Sequence, residues 1–202
     1  MKENWEDEWK DFRGLNAFGK LFWFNARRAL SAAFKHFGMD GSSSLLDVGC
    51  GTGKALKFLR GFGFTNSIGI DVSPSGLLLC EKLGFTRNKD VFLMDATQTS
   101  FADRSFDIIF AEGVLEHFQD FTPFVKEMCR ICKSHIVLIQ PDHFSAFGRL
   151  LSVWGKSVKE FSYKTSDFEA AFGKFGFILV YKRPFNFHEN DVLIFSRKTP
   201  NS

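Results

Sequence analysis

Short apolar segments recur along this chain and alternate with longer segments in which apolar residues repeat at helical spacing. The short segments predict β-strands at 45–48, 68–71, 91–94, 106–111, 136–141, 176–183 and 190–197. The longer segments predict helices at 15–37, 54–60, 74–83, 113–118, 123–133 and 166–175. Because strands that alternate with helices need crossover connections, the pattern predicts an α/β domain built on a parallel sheet.

A glycine-rich turn follows the first predicted strand. Glycine occupies positions 49, 51 and 53, and its lack of a side chain lets a ligand approach the backbone closely. The second predicted strand ends at Asp71, where a carboxylate can accept hydrogen bonds from both hydroxyls of a ribose. The turn and the acid together predict a nucleoside-binding site at the ends of these two strands.

The spacing of the glycines excludes two familiar phosphate-binding loops. The dinucleotide fingerprint G-x-G-x-x-G requires a small residue where this chain has Lys54. A Walker A loop requires glycine at the position of Val48 and serine or threonine at the position of Ala55. We therefore expect a nucleoside ligand that presents no phosphate to this turn.

The segment 45–53 resembles motif I of the class I S-adenosylmethionine-dependent methyltransferases. Three segments follow it in the order typical of the small-molecule, methyltransferase type 11-like branch: the strand ending at Asp71, the strand before Asp95, and the strand and helix within 105–118. The resemblance covers about residues 42–142. It implies a Rossmann-like, doubly wound sheet of seven mostly parallel strands, with the last strand antiparallel and helices on both faces.

The same resemblance implies a single methyltransferase domain over residues 1–202. Within it, residues 1–40 are expected to form an N-terminal helical cap and residues 42–142 the cofactor-binding core. Residues 143–165 are expected to form a lid or substrate insertion, and residues 166–202 a C-terminal helix and strands. No internal repeat or low-complexity linker divides the chain.

The implied cofactor is S-adenosyl-L-methionine, with S-adenosyl-L-homocysteine as its product. The residues expected at the cofactor form four groups, one at each of four strand ends. They are Asp47, Gly49, Cys50, Gly51 and Gly53 around the turn; Asp71, Val72 and Ser73 at the ribose and adenine; Asp95 and Ala96 at the adenine amino edge; and Glu112 and Gly113 at the methionine and sulfonium.

Two histidines are candidates for a general base. His117 follows the fourth predicted strand and His143 follows the fifth, at the edge of the sheet where ligands bind in open α/β folds. A histidine can take a proton from a hydroxyl nucleophile near neutral pH. A structural role for either residue stays open, because positioning alone can suffice for transfer of an activated methyl group.

The expected reaction is transfer of a methyl group to a small, fairly apolar acceptor by in-line displacement. No N-P-P-[YFW] segment follows the fourth strand, where the chain reads Ala111-Glu112-Gly113-Val114, which argues against methylation of base amino groups. No Pro-Cys dipeptide offers the thiolate that attack on cytosine needs. Two alternatives stay open: a non-catalytic, cofactor-binding partner or regulatory domain, and an NAD-dependent oxidoreductase.

Charge and hydropathy limit the partners that we expect. The chain of 202 residues carries a net charge of only +3, which gives no electrostatic footprint for nucleic acid. It contains no long apolar run and no signal peptide, so we expect a cytoplasmic protein without integral membrane segments. The basic, amphipathic N-terminal helix leaves two interpretations, packing on the domain or peripheral contact with a membrane. The sequence indicates no oligomeric state.

The four cysteines do not predict a metal site. Cys129 and Cys132 form a single C-x-x-C pair, whereas structural zinc sites need four ligands. Both cysteines fall within the helix predicted at 123–133, where this spacing puts two small apolar residues on one face. Cys50 lies inside the glycine turn, where a small side chain is required.

Overall fold

The computed structural model describes residues 17–141, 160–185 and 190–198. The strands are β1 (Leu45–Val48), β2 (Ser67–Asp71), β3 (Val91–Leu93), β4 (Phe106–Glu112), β5 (Cys132–Pro141), β6 (Phe177–Phe185) and β7 (Asn190–Arg197). The α-helices are α1 (Ala17–His36), α2 (Lys54–Gly61), α3 (Pro74–Lys82), α4 (Thr122–Ile131) and α5 (Thr165–Gly173). His143 and most of the predicted lid at 143–165 lie outside the described residues.

All seven strands form one sheet in the order β3-β2-β1-β4-β5-β7-β6. The pairs from β3 through β5 are parallel, whereas β7 runs antiparallel to both β5 and β6. The central strands are apolar because helices cover the sheet on both faces. The predicted architecture is therefore confirmed, including the antiparallel last strand.

The two faces of the sheet carry different helices. On one face, α4 and α5 bury Val125, Met128 and Phe172 against the strands. On the other face, α1 buries Leu30 and Phe34 together with side chains from α2. One side of α1 thus packs on the sheet, as the packing interpretation of this helix expects. None of the described helices is long and apolar enough to cross a bilayer.

Two of the predicted helices differ from the structure. In place of a helix at 113–118, the chain forms a short 3-10 turn over Leu115–His117, because Gly113 has a left-handed φ of +63° and Phe118 is extended. The helix predicted at 123–133 ends at Ile131, and Cys132 begins β5. Cys129 and Cys132 therefore do not share one helix face, although both are buried and free.

The parallel strands bring the predicted cofactor residues to one edge of the sheet. The carboxyl ends of β1 and β2 lie side by side, since Val48 pairs with Ile70. On the other side of β1, Val48 pairs with Ala111, so that Glu112 follows directly at the same edge. The end of β3 lies beside β2, since Leu93 pairs with Asp71. The ends of four strands thus converge where open α/β sheets bind their ligands.

Candidate functional site

The glycine turn after β1 can be built only from glycine at two of its positions. Gly49 and Gly53 have φ values of +69° and +76°, which residues with a β-carbon rarely adopt. A β-carbon on Gly49 would lie 2.6 Å from Cγ2 of Val114, and one on Gly53 would lie 2.9 Å from Sγ of Cys80. Both backbone conformation and the packing of Val114 and Cys80 therefore require glycine at these two positions.

Asp71 ties the end of β2 to this turn. Its carboxylate accepts a hydrogen bond from the backbone N–H of Gly51 at 2.7 Å and from that of Ser73 at 2.8 Å. The two bonds use different oxygens, and each oxygen has a second lone pair. Asp71 is thus fixed at the predicted ribose position.

The residues that follow Asp71 begin α3. The hydroxyl of Ser73 accepts a hydrogen bond from the backbone N–H of Gly76 at 3.1 Å, which caps the helix. Val72, which lies between Asp71 and Ser73, is 51% exposed, and Leu93 at the end of the neighbouring β3 is 52% exposed. Two large apolar side chains therefore face solvent at this edge of the sheet, where the flat face of an adenine can cover them.

Asp95 and Ala96 lie in the loop after β3. Oδ1 of Asp95 accepts hydrogen bonds from the backbone N–H of Thr97 at 2.8 Å and from its hydroxyl at 2.7 Å. These bonds form a local turn that holds the exposed Asp95 in place. Ala96 is buried in the core beneath it. A role at the adenine amino edge stays a prediction for both residues.

Behind the turn, the site contains two neighbouring carboxyl groups, those of Asp47 and Glu112. Asp47 is 1% exposed, and its Oδ2 has no hydrogen-bond partner among the residues that the structure describes. Burial raises the pKa of Asp47 well above its ordinary value, and the carboxylates of Glu112 and Asp71 raise it further. Buried carboxylates without a compensating cation are costly, so this part of the site favours a positively charged ligand.

Glu112 and Lys54 complete this electrostatic arrangement. Burial raises the pKa of Glu112 to about 7, and the ammonium group of Lys54 partly opposes that rise. Burial also lowers the pKa of Lys54, an effect that Glu112 opposes. Lys54 begins α2 directly after the turn. Their proximity could not be predicted from the sequence, because Lys54 and Glu112 are 58 positions apart and only the pairing of β1 with β4 brings them together.

Two cysteines support the turn from below. The side chain of Cys50 packs against Gly69 of β2, where an added β-carbon would lie 2.8 Å from its Sγ. The thiol of Cys80 in α3 donates a hydrogen bond to the carbonyl oxygen of Gly51 at 3.1 Å. Sequence reasoning placed Cys50 correctly in the turn but missed Cys80 and Val114, whose contacts depend on how α3 and the segment after β4 pack.

His117 ends the 3-10 turn that follows β4, and its side chain is half-buried. It lies at the carboxyl edge of the sheet, as expected for a residue that faces a substrate. The structure provides no test of proton transfer, so its role as a base stays a prediction. Within the described residues, no group of three or more His, Cys, Asp or Glu side chains is placed to hold a metal ion.

Residues 46–139 match a family model described as a methyltransferase domain. This part of the chain is similar to the methyltransferase domain family. The match extends from β1 into β5 and thus contains the glycine turn and every strand end described above. S-adenosylmethionine is the cofactor of this family.

Two relatives among curated proteins show how far the similarity extends. Over 120 residues, the chain is 32% identical to 2-methyl-6-phytyl-1,4-hydroquinone methyltransferase of Synechocystis, covering 57% of this chain and 37% of that protein. Over 131 residues, it is 28% identical to the chloroplastic tocopherol O-methyltransferase of Arabidopsis thaliana, covering 60% and 37%. The chain therefore matches little more than a third of the length of these two relatives.

Solved structures share the methyltransferase fold. Magnesium protoporphyrin IX methyltransferase from Synechocystis, with bound SAH, has a TM-score of 0.68 at 14% identity and covers 96% of this chain and 94% of its own. An S-adenosylmethionine-dependent methyltransferase from Aquifex aeolicus has a TM-score of 0.60 at 17% identity, with coverages of 82% and 87%. At such low identity, these similarities establish the Rossmann-like fold of the methyltransferase domain.

The site of this methyltransferase domain fits S-adenosylmethionine in its charge and shape. The cofactor is cationic at its sulfonium and α-ammonium groups. This charge matches Glu112 and the neighbouring Oδ2 of Asp47, for which the described ranges offer no hydrogen-bond donor. Gly49 and Gly53 let the turn pack tightly against Val114 and Cys80, which fixes the course of its backbone at this edge of the sheet. Asp71 lies at the strand end expected for a residue that binds a ribose, held by the backbone N–H groups of Gly51 and Ser73.

Proposed function

We propose that this chain binds S-adenosylmethionine and transfers its methyl group to a small, fairly apolar acceptor. One observation carries the proposal: the buried carboxyl group of Asp47 and the half-buried carboxyl group of Glu112 lie behind a glycine turn that Asp71 holds in place. A cationic nucleoside satisfies all three features at once. NAD, with its two phosphates, would place additional negative charge beside these carboxylates, which disfavours the oxidoreductase alternative.

In this proposal, the residues at the strand ends hold the cofactor in a fixed orientation. Asp71 binds the ribose hydroxyls, Val72 and Ser73 lie beside the adenine, and Asp95 and Ala96 bound its amino edge. The turn formed by Gly49, Cys50, Gly51 and Gly53 lies against the methionine portion. Asp47, Glu112 and Gly113 lie at its cationic end.

S-adenosylmethionine, when bound, supplies a methyl group on a positively charged sulfur that a nucleophile can displace in line. The chain contributes orientation and exclusion of water rather than a new reagent. Its fixed turn and Asp71 hold the donor, and the edge of β4 and β5 receives the acceptor. His117, which follows β4 at that edge, is the first candidate to accept a proton from a hydroxyl acceptor, and His143 is the second.

The acceptor class follows from the relatives and from the weak charge of the chain. The relatives described above are named for a phytyl hydroquinone and a tocopherol, both apolar molecules with hydroxyl groups. The net charge of +3 supports a small acceptor over nucleic acid. The cytoplasmic location and peripheral contact of α1 with a membrane stay predictions.

An acceptor screen tests the proposal. The purified chain is incubated with S-adenosylmethionine and members of several acceptor classes, namely quinols, phenols, lipid alcohols and small amines. Release of S-adenosylhomocysteine is measured by mass spectrometry. We expect release that depends on one apolar class. A chain that binds the cofactor but releases product with no class would instead support the non-catalytic alternative.

The pKa of Glu112 predicts how cofactor binding depends on pH. Because this pKa is about 7, the carboxylate becomes ionised as the pH rises from 6 to 8. A cationic ligand should therefore bind about tenfold more tightly at pH 8 than at pH 6, as measured by calorimetric titration with S-adenosylhomocysteine and S-adenosylmethionine. The free energy of unfolding of the ligand-free chain should change in the opposite direction. Burial disfavours the charged form of Glu112, so this free energy falls as the pH rises through about 7.

Two variants test the assignment of this pH dependence to Glu112. Glu112→Gln removes the titrating group, so its affinity for S-adenosylmethionine should be nearly flat between pH 6 and 8. Glu81→Gln is the matched control, because Glu81 pairs with Arg87 away from the turn and should leave the dependence unchanged. An unchanged pH profile in Glu112→Gln contradicts the assignment.

A further inference from the structure

Gln140 is a buried polar residue that no hydrogen bond within the described part of the chain explains. It lies near the carboxyl end of β5 and is 3% exposed. Neither Oε1 nor Nε2 of its amide has a hydrogen-bond partner among the residues that the structure describes. A buried amide that lacks both of its partners is rare and costly in folded proteins. It therefore calls for a ligand or for another specific explanation.

The strand register places Gln140 at the carboxyl end of β5, beside the end of β4 that carries Glu112. The backbone N–H of Gly113 donates to the carbonyl oxygen of Ile139 at 3.2 Å, which brings the end of β4 beside Gln140. Because side chains alternate along a strand, Gln140 shares its face with Leu138, which belongs to the core beneath α4 and α5. This face also carries Leu115 of the 3-10 turn that contains His117.

Two buried carboxylates lie at the same edge. Glu116 is 5% exposed, and its Oε1 lies 3.5 Å from the position of a β-carbon on Gly113. Asp191 pairs with Gln140 across β5 and β7, is 4% exposed, and forms an ion pair with the ammonium group of Lys182 at 2.9 Å. Gln140 thus provides a neutral donor and acceptor between acidic neighbours.

Aromatic residues lie around the 3-10 turn that follows β4. The hydroxyl of Tyr163 donates to the carbonyl oxygen of Phe118 at 2.7 Å, and its ring contacts that of Phe121 at 4.8 Å between centroids. The backbone N–H of Phe161 donates to the carbonyl oxygen of Glu116 at 2.6 Å, which fixes this segment over the 3-10 turn. The surroundings therefore suit a molecule with an apolar body.

We propose that Gln140 binds a neutral hydroxyl group of an apolar methyl acceptor and so determines acceptor specificity. This inference rests on the proposed methyltransferase function and specifies the chemistry of its acceptor. A hydroxyl group can both donate and accept, which suits the amide oxygen and nitrogen. An ammonium group cannot accept from Nε2, an apolar group satisfies neither atom, and an anion is repelled by Glu116 and Asp191.

The test measures binding rather than turnover. Three hydroxylated probes, an alkyl hydroquinone, an alkyl phenol and a long-chain primary alcohol, are each compared with the corresponding methyl ether. Calorimetry is performed on the full chain saturated with S-adenosylhomocysteine. We expect at least one probe to bind about tenfold or more tightly than its ether, and this preference to disappear in Gln140→Met. Gln98→Met alters an exposed glutamine in the loop after β3. It is the matched control and should retain the preference.

A second measurement keeps the result clear if Gln140→Met alters folding. Methionine has a similar length and needs no hydrogen bonds, so the ligand-free variant should melt at the same temperature as the wild type or higher. A clearly lower melting temperature shows that the amide is satisfied within the protein and overturns the proposal. Retention of the hydroxyl preference in Gln140→Met, or its absence for all three probes in the wild type, overturns it as well. Loss of the proposed function has a different signature, because S-adenosylhomocysteine itself then fails to bind.

Discussion

Replacement of Asp71 by alanine should weaken binding of S-adenosylmethionine by about two to four orders of magnitude. The proposed site loses two charge-assisted hydrogen bonds to the ribose, each worth about 1.5–3 kcal/mol. It also loses the bonds from the backbone N–H groups of Gly51 and Ser73, which hold the glycine turn against β2. Calorimetric titration of the variant with S-adenosylmethionine measures the effect directly.

Asp71→Asn separates the loss of shape from the loss of acceptor capacity. Asparagine keeps the size of the side chain but turns one oxygen into an amide donor, which then faces a backbone N–H group. We therefore expect a loss of affinity nearly as large as in Asp71→Ala. Asp103→Ala is the control, because this carboxylate is 78% exposed and pairs with Arg130 away from the turn. Full affinity in both Asp71 variants would remove the ribose assignment.

Gly49→Ala should have the second large effect, on stability. The backbone at Gly49 has a φ of +69°, where a β-carbon costs about 1–2 kcal/mol. The new methyl group would also lie 2.6 Å from Cγ2 of Val114, and overpacking of this kind costs about 1–3 kcal/mol. The free energy of unfolding should therefore fall by about 2–5 kcal/mol in denaturant titrations.

Two further variants distinguish these contributions. Gly38 has a similar φ of +62° but nothing within 4 Å of a β-carbon, so Gly38→Ala should show the cost of backbone strain alone. Adding Val114→Ala to Gly49→Ala should restore the part that comes from overpacking. Equal losses in Gly38→Ala and Gly49→Ala, with no recovery in the double variant, would show that Val114 does not restrict the turn.

The cofactor half of the site could be predicted because short-range rules determine it. Strand length and apolar composition identified β1, β2 and β4, and the parallel topology then brings their carboxyl ends together. Glycine spacing and Asp71 carry information that does not depend on distant packing. The roles of individual residues toward the cofactor stay predictions, but their convergence at one edge of the sheet is observed.

The acceptor half could not be predicted in the same way. Gly113 and Phe118 turn an apparent helix into a 3-10 turn, and local periodicity cannot detect a single left-handed residue. Cys132 begins β5 with extended backbone angles although its backbone N–H still donates to the carbonyl oxygen of Met128 in α4, a junction that helical spacing cannot reveal. The importance of Gln140 depends on which partners it lacks, a property of the folded chain alone.

Calorimetric titration of the wild-type chain with S-adenosylhomocysteine, S-adenosylmethionine and NAD is the most direct test of the central claim. We expect both sulfur nucleosides to bind, with a strict requirement for Asp71, and NAD to give no measurable heat. The same experiment provides the reference affinities for the variants at Asp71 and Glu112. Tight binding of NAD with no response to S-adenosylmethionine would contradict the assignment of the site.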